Sequence, residues 1–273
     1  MKLVTEGLKW RTLLLIVLSL LLVPGLAWAD SASKHRQFTT EFNLADCTLS
    51  NTGGNALFTL DYAAGMMNPI LLQGEEEKEL VQVQITVLNA TESIDLTALG
   101  LGNVNARVIR EVEWIDGEQV EWSENYFIRC AETNDIYCLG EDVTLYEYDD
   151  EGNLVETIEG AEAGAWRAGE LAEDGESINQ PGLIMPGTFL LGARYYQEIA
   201  PEVALDRAEH IDMGLEVETP AGLFSDSVKL LETTPLEPEA KDIKIYADGY
   251  GLIVDDPIER VNNFDPVPPP PLP

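Results

Sequence analysis

The chain has 273 residues, of which 45% are hydrophobic, and it carries 16 basic against 49 acidic side chains. The net charge of −33 excludes a basic surface of the kind that binds nucleic acid or anionic membranes. The hydrophobic content is sufficient for a buried core and argues against a disordered chain. We therefore expect a folded, acidic protein with no nucleic-acid partner.

The N-terminus has the order of segments that is typical of a secretory signal. Three basic residues precede and adjoin the apolar run 13–23, and Ala27 and Ala29 supply the small residues of a cleavage site. The apolar run is too short to span a bilayer, which takes about 20 residues. We expect export, cleavage near Ala29, so that residues 1–29 are the signal peptide, and a periplasmic or extracellular mature chain with no membrane span.

Alternating hydrophobic and polar residues predict antiparallel β-strands through most of the mature chain. In the segment 80–87, Val81, Val83, Ile85 and Val87 share one face, which we expect to be buried while the polar face is solvated. Later candidates follow one another through Asp-Gly and Pro/Gly turns, which indicates nearest-neighbour hairpins. These candidates are 104–115, 118–129, 139–148, 194–199, 207–213, 214–219, 223–232, 242–247 and 252–254.

This pattern predicts an all-β protein: a single antiparallel, strongly curved sheet or open half-barrel meander with little helix, over residues 55–256. Residues 30–54 are expected to be a flexible N-terminal segment. Residues 257–273 form a proline-rich C-terminal tail that cannot join a sheet. The meander from 194 to 254 is expected to supply much of the core, with these side chains buried: Val217, Val228, Leu230, Ile243, Ile245, Leu252 and Val254.

Several short motifs along about 200 positions carry a family resemblance. They include Asn55-x-x-Phe58-x-Leu60, Pro181-Gly-Leu-Ile-Met-Pro186, Tyr195-x-Gln197-Glu198, Thr234-Pro-Leu-Glu-Pro238 and Tyr246-Ala-x-Gly249-x-Gly251-Leu. With these motifs the chain resembles an uncharacterised family of exported bacterial β-proteins. The resemblance implies the architecture and export, and it brings no catalytic residue. The chain departs from the family pattern at 131–135, where cysteines and not aromatic residues flank the tip of a hairpin.

The three cysteines allow one intramolecular disulfide in an oxidising compartment. Cys130 and Cys138 flank a polar hairpin tip, and they would lie opposite each other if the tip closed symmetrically about Asn134. We therefore predict a disulfide between Cys130 and Cys138, with Cys47 unpaired. A shift of one residue in register would turn the two side chains to opposite faces and forbid this bond. A bond from Cys47 to either cysteine is the alternative.

The remaining candidates for chemistry are weak. Glu141 and Asp142 could be a paired acid and base of a glycosidase, but such pairs arise by chance among 49 acidic residues. The segment Asp149–Asn153 resembles a calcium loop superficially and is better interpreted as a turn. With two histidines far apart in sequence, no histidine metal motif is present. We predict no catalytic, cofactor or metal residues.

The sequence thus favours an exported, non-enzymatic protein whose curved sheet binds a small apolar ligand. Two alternatives stay open. One is a secreted hydrolase that uses carboxylates, and the other is a structural protein that binds a divalent cation. The three classes differ in what they require inside the sheet: a continuous apolar cavity, two convergent carboxylates, or several carboxylate oxygens converging with backbone carbonyls.

Overall fold

The computed structural model describes residues 37–272, so the predicted signal sequence lies outside the described residues. Fifteen antiparallel strands form one sheet, as the sequence predicts for an all-β fold. The strands of the first half are β1 (Leu49–Ser50), β2 (Ile70–Glu76), β3 (Glu79–Leu96), β4 (Gly102–Ile115), β5 (Glu118–Cys130), β6 (Ile136–Tyr148), β7 (Leu154–Glu159) and β8 (Trp166–Arg167).

The second half of the chain contributes seven further strands and continues the meander. They are β9 (Gly182–Met185), β10 (Arg194–Tyr196), β11 (Arg207–Thr219), β12 (Gly222–Thr233), β13 (Asp242–Ala247), β14 (Gly251–Asp255) and β15 (Ile258–Arg260). Helix in the described residues is limited to short 3₁₀ turns, at Leu44–Asp46, Gly65–Met67, Thr97–Leu99 and Gly160–Ala163.

The sheet is an open path, β10-β11-β12-β13-β14-β15-β2-β3-β4-β5-β6-β7. Almost every pairing joins strands that are consecutive in sequence, as expected for hairpins. The exception within the path is β15, which pairs with both β14 and β2 and so joins the two halves of the chain. Strand β1 pairs with β5, and β8 and β9 pair with β6.

The sheet curves until its C-terminal half approaches β9. Gly182 of β9 packs directly against the backbone of Gln197, and a Cβ atom at position 182 would lie 1.9 Å from the Gln197 carbonyl oxygen. The amide of Gln180 also donates to the carbonyl of Ile199, at 2.9 Å. Only a glycine allows this approach, which places the segment after β10 beside β9.

Strands at both ends of the chain extend the sheet beyond residues 55–256. Strand β1 and the disulfide at Cys47 hold part of the segment that was expected to be flexible. Strand β15 lies just after the expected end of the domain. The buried guanidinium of Arg260 donates to the carbonyls of Tyr250, Leu252 and Met66, which fastens β15 to β14 and to the chain before β2.

The proline-rich tail forms no strand among the described residues, but it packs on the outer face of the sheet. The side chain of Gln82 donates to the carbonyl of Pro266 at 2.6 Å, and Phe264 packs edge-on against Trp114 with ring centroids 6.0 Å apart. The prediction of a solvated polar face on β3 is therefore wrong at Gln82, which is 1% exposed because the tail covers it. On the opposite face Val81, Val83 and Val87 are buried, as predicted, and Ile85 is half-buried.

The predicted core of the meander is only partly correct. Val228, Leu230, Leu252 and Val254 are buried, whereas the three remaining predicted core residues are half-buried: Val217, Ile243 and Ile245. Ile245 belongs to a small cluster with Phe224, Ala247, Ile253 and Val254 that is separate from the main core. The alternate residues of β13 line the interior of the curved sheet instead: Lys244 and Tyr246.

The predicted disulfide between Cys130 and Cys138 is wrong: the bond joins Cys47 to Cys130, and Cys138 is a buried free thiol. The hairpin tip is not centred on Asn134, because the amide of Cys130 bonds to the carbonyl of Asp135 and Cys138 pairs with Phe127. Cys130 and Phe127 are an odd number of residues apart, so Cys130 and Cys138 point to opposite faces. Pairing of β1 with β5, Leu49 opposite Cys130, brings Cys47 within bonding distance.

Among residues 37–272, no helix is long and apolar enough to cross a membrane.

Candidate functional site

The curved sheet encloses a cavity of about 200 Å³. Its lining comes from both halves of the chain, from β2 to β5 and from β9 and β12 to β14. Residues 57–59, Met67 and three residues of the segment 197–206 complete the wall. Because β15 joins these halves, the cavity exists only in the completed sheet.

Much of the cavity wall is apolar. Ile85 and Val87 of β3, Ile109 of β4 and Phe127 of β5 present the interior face of the N-terminal half. Phe58 packs edge-on against Phe127, with ring centroids 5.3 Å apart. Side chains from elsewhere in the chain extend this surface: Leu57, Met67, Ile70, Ile184 and Leu252. This surface can hold the apolar part of a ligand.

The cavity wall also carries charge. Five carboxyl groups line it and, among the described residues, a single cationic side chain, Lys244. The carboxyl groups belong to Glu111, Glu198, Asp206, Glu232 and Asp255.

Lys244 lies between two of these carboxylates. Its Nζ atom is 3.0 Å from Glu232 Oε2 and 3.6 Å from Asp255 Oδ2. The side chains of Glu232 and Asp255 retain 13% and 29% exposure, so some of their surface faces the cavity. Burial alone would lower the pKa of Lys244, but Asp255 and Glu232 outweigh it and hold this pKa well above its usual range. Lys244 is therefore a fixed cation shared by two carboxylates, and it offsets one of their two negative charges.

A β-bulge in β14 brings Asp255 into this group. Tyr246 pairs with Leu252 and Ile245 pairs with Val254, so one extra residue, Ile253, lies between these pairs. Leu252 and Asp255 are an odd number of residues apart, and without the bulge they would face opposite sides. With it, both line the cavity.

Glu198 and Asp206 lie on the two arms of the hairpin that joins β10 to β11. The backbone amides of Gln197 and Glu198 both donate to the carbonyl of Asp206, at 2.7 and 3.2 Å. Burial, followed by the nearby carboxylates of Asp206 and Glu232, raises the pKa of Glu198 to about 8, while Lys244 opposes the change. Glu198 thus holds a proton near neutral pH.

Glu111 on β4 belongs to a second group of half-buried carboxyls. Burial and the nearby Glu121 raise the pKa of Glu111 to about 7. Glu113 pairs across the strands with Glu121, and burial followed by Glu121 raises the pKa of Glu113 to about 8. Burial, Glu198 and Glu121 hold the pKa of Glu141 on β6 well above its usual range. The interior face of β4 to β6 therefore carries several neighbouring carboxyl groups, each of which is either ionised or protonated near neutral pH.

The side-chain amide of Gln197 adds to the cavity lining an oxygen atom that has no hydrogen-bond donor within the described chain. Its Nε2 donates to Glu232 Oε1 at 2.8 Å, whereas its Oε1 has no hydrogen-bond partner among residues 37–272. The side chain is 2% exposed and lines the cavity. A buried carbonyl oxygen without a partner is costly, so this atom favours a ligand that donates a hydrogen bond.

The candidate residues from the sequence do not meet in a site. Glu141 faces the interior, while its neighbour Asp142 faces the opposite side and forms an ion pair with Arg167 at 2.7 Å. They therefore do not converge as an acid and base. Asp149 accepts bonds from the amides of Glu151 and Asn153, which confirms the interpretation of that segment as a turn.

Two further positions bear on metal binding. The side chain of His210 bonds to the hydroxyl of Tyr195, at 2.8 Å. Cys47, Cys130 and Glu132 place ligand-type atoms together, but two of these atoms are the sulfurs of the disulfide.

Strand alternation alone missed the cavity, although another sequence signal points to it. Residues of four motifs that carry the family resemblance line the cavity: Phe58, Ile184, Gln197, Glu198, Tyr246, Gly251 and Leu252. No protein-family model, curated protein or solved structure matches the chain. The resemblance stays a prediction.

Proposed function

We propose that this protein is an exported, non-enzymatic binding protein that holds a small ligand in the interior cavity of its sheet. The observation that carries the proposal is the mixed lining, which combines an apolar surface with a group of carboxyls and an unsatisfied amide oxygen. Ligand cavities are usually of this kind, mostly apolar with a few polar groups that orient the ligand. The volume is below the ~300–1,000 Å³ of drug-sized sites, which favours a small ligand.

Two observations support export to an oxidising compartment. The N-terminal sequence has the order of a secretory signal, and the Cys47–Cys130 disulfide is of a kind that persists outside the reducing cytosol. The acidic surface supports the further proposal that the protein stays free of nucleic acid and of anionic membranes.

Native mass spectrometry of the exported protein tests the proposal. A bound ligand would add mass under native conditions, and this mass would disappear on denaturation. Ile85→Trp places a large ring in the cavity wall and should abolish the added mass. Val155→Trp is the matched control, because Val155 is 60% exposed on β7 and lies outside the lining. Equal loss or equal retention of the added mass in both variants would contradict the proposal.

A further inference from the structure

Charge in the cavity is strongly unbalanced. The five lining carboxyl groups would carry −5 when ionised, and Lys244 supplies +1, which leaves −4. Lys244 is already within 4 Å of Glu232 and Asp255. The other three, Glu111, Glu198 and Asp206, have no ion pair within that distance to the described residues. Charges removed from bulk water are costly unless a counter-charge or a proton compensates them.

Gln197 points to the same requirement independently of the acidic residues. Its unpartnered Oε1 accepts and cannot donate, so it adds a further atom that favours an N–H or O–H donor. An anion or a neutral hydrocarbon would leave this oxygen without a donor and would add no positive charge for the carboxyls that Lys244 does not reach. A donor with positive charge would compensate both.

The arrangement favours an organic cation over a bare metal ion. Among residues 37–272, the carboxylate oxygens of the cavity nowhere gather in a group of three close enough to hold a metal ion. Lys244 already occupies the space between two of them. Calcium would need six to eight oxygen ligands at about 2.3–2.6 Å. The apolar wall formed by Phe58, Ile109 and Phe127 would have no role in such a site.

We infer that the cavity binds a small organic cation, an alkylammonium or alkylguanidinium, with its charged head among Glu111, Gln197 and Glu198 and its alkyl group against Phe58 and Phe127. This inference rests on the proposed function, because it names the chemical class of the ligand for the same cavity. Burial of the alkyl group contributes affinity in proportion to the apolar area that it removes from water. The charged head sets the selectivity.

Binding of the cation should be linked to pH. An alkylamine, like lysine, stays protonated below about pH 10, whereas the carboxyls with raised pKa lose protons between pH 6 and 9. Affinity should therefore rise at least tenfold over this range. The titratable groups that line the cavity around the head are Glu111, Glu198, Asp206, Glu232, Lys244, Tyr246 and Asp255. Groups behind them that interact with them electrostatically are Glu113, Glu121, Cys138, Glu141 and Asp242.

Calorimetric titration of the exported full-chain product with hexylammonium, hexan-1-ol and hexanoate at pH 8 tests the inference. These probes share one alkyl chain and differ in the charge of the head. We expect hexylammonium to bind at least tenfold more tightly than hexanol, and hexanoate to bind more weakly than either. Equal or tighter binding of hexanol or hexanoate would overturn the inference and leave the proposed function standing. Absence of binding by all three would overturn both.

Glu198→Gln should weaken hexylammonium binding at least fivefold and leave hexanol binding unchanged. Glu156→Gln, on the exposed face of β7, is the matched control and should change neither. Thermal unfolding of both variants checks that the fold is intact, and Glu111→Gln gives the same comparison at a second carboxyl group, on β4. An unchanged ratio of the hexylammonium and hexanol affinities in both cavity variants would overturn the inference.

Discussion

Lys244 is the only cation among the described residues that line the cavity, and its single charge is shared by two of the five carboxyl groups. A buried ion pair contributes little net stability, because desolvation offsets the attraction. Removal of one partner is different, since the remaining charges stay desolvated without compensation. The cavity therefore depends on this side chain more than its own contacts suggest.

Lys244→Met should destabilise the protein at pH 8. Removal of one partner of a fully buried ion pair costs about 3–5 kcal/mol, and this range is an upper limit here because the site retains some solvent. The loss should be smaller at pH 5, because burial raises the pKa of Asp255 and the group can take up a proton. Urea unfolding at the two pH values measures this. Lys229→Met on the alternate face of β12 is the control, and an equal loss in both variants would contradict the prediction.

The contribution of the disulfide to stability can be tested by substitution of a single residue, Cys47. The sequence separation between Cys47 and Cys130 is 83, and closure of a loop of this size contributes about 2–4 kcal/mol. Cys47→Ser should lower the free energy of unfolding by this amount, as measured by denaturant titration without reductant. Cys138→Ala should retain the cross-link in non-reducing peptide maps. A peptide that joins Cys130 to Cys138 in the wild-type protein would contradict the pairing.

Individual acidic residues of the cavity could not be identified from alternation. On β4 the apolar Val112 and Trp114 indicate that their face is inward, which would place Glu111 and Glu113 in solvent. The structure has the reverse, with Glu111 in the cavity wall and Trp114 under Phe264. The reason is that the tail buries the outer face of β4. Both faces of the strand are therefore covered, and the alternation of apolar and polar residues does not show which face lines the cavity.

At the scale of elements, the C-terminal tail covers the outer face of β2 to β5. The side chain of Gln73 donates to the carbonyl of Asp265 at 2.9 Å, and Gln119 accepts from the amide of Leu272 at 2.7 Å. Proline lacks the amide that a sheet needs, and here side-chain amides of the sheet replace the ladder. The absence of strand pairing in the described part of the tail was predictable from its proline content. The docking of the tail on the sheet was not, because in sequence the glutamines that bind it resemble ordinary solvated residues.

Phe264→Ala tests this element. The substitution removes the edge-on contact with Trp114, and aromatic pairs of this kind are worth about 0.5–1.5 kcal/mol beyond the area that they bury. We expect a loss of at least about 1 kcal/mol and a red shift of tryptophan emission, because water reaches Trp114. Val267→Ala is the control, since Val267 is 80% exposed. A red shift of equal size in the control would contradict the role of Phe264.

At the scale of the whole molecule, the buried carboxyls set the dependence of stability on pH. The pKa of Glu113 is about 8 in the folded state and about 4.3 in an unfolded chain. Between these values the folded protein binds more protons than the unfolded one, so the stability falls as pH rises. His210 acts in the opposite sense, because burial lowers its pKa to about 4, and its contribution grows as pH rises from about 4 to 6.5.

Glu113→Gln should therefore stabilise the protein more at pH 8 than at pH 5. The difference should be at least about 1.4 kcal/mol, the equivalent of one pKa unit. Comparison of the variant with the wild type at each pH cancels the contribution of His210. Chemical denaturation measures the effect, and Glu156→Gln serves as the control. A gain that is equal at the two pH values would contradict the assignment of Glu113 as a buried, protonated group.

The all-β class and most strand positions were predictable, because turn residues and alternation are local signals. The junction of β15 with β2 was not, since Glu259 pairs with Gln73 across nearly the full chain. The bulge at Ile253 was also missed, and with it the inward position of Asp255. Both features depend on tertiary pairing, which leaves no signal in a single short window.

The β15–β2 junction also sets the order in which the molecule can be completed. Each half is a series of neighbouring hairpins that can form quickly, but the pairing of Arg260 with Leu72 must wait for the last residues of the chain. Until that pairing forms, the residues of the cavity wall lie on two half-sheets that are not yet joined. The ligand site is therefore among the last features of the fold to be completed, and loss of the β15–β2 pairing alone would remove it.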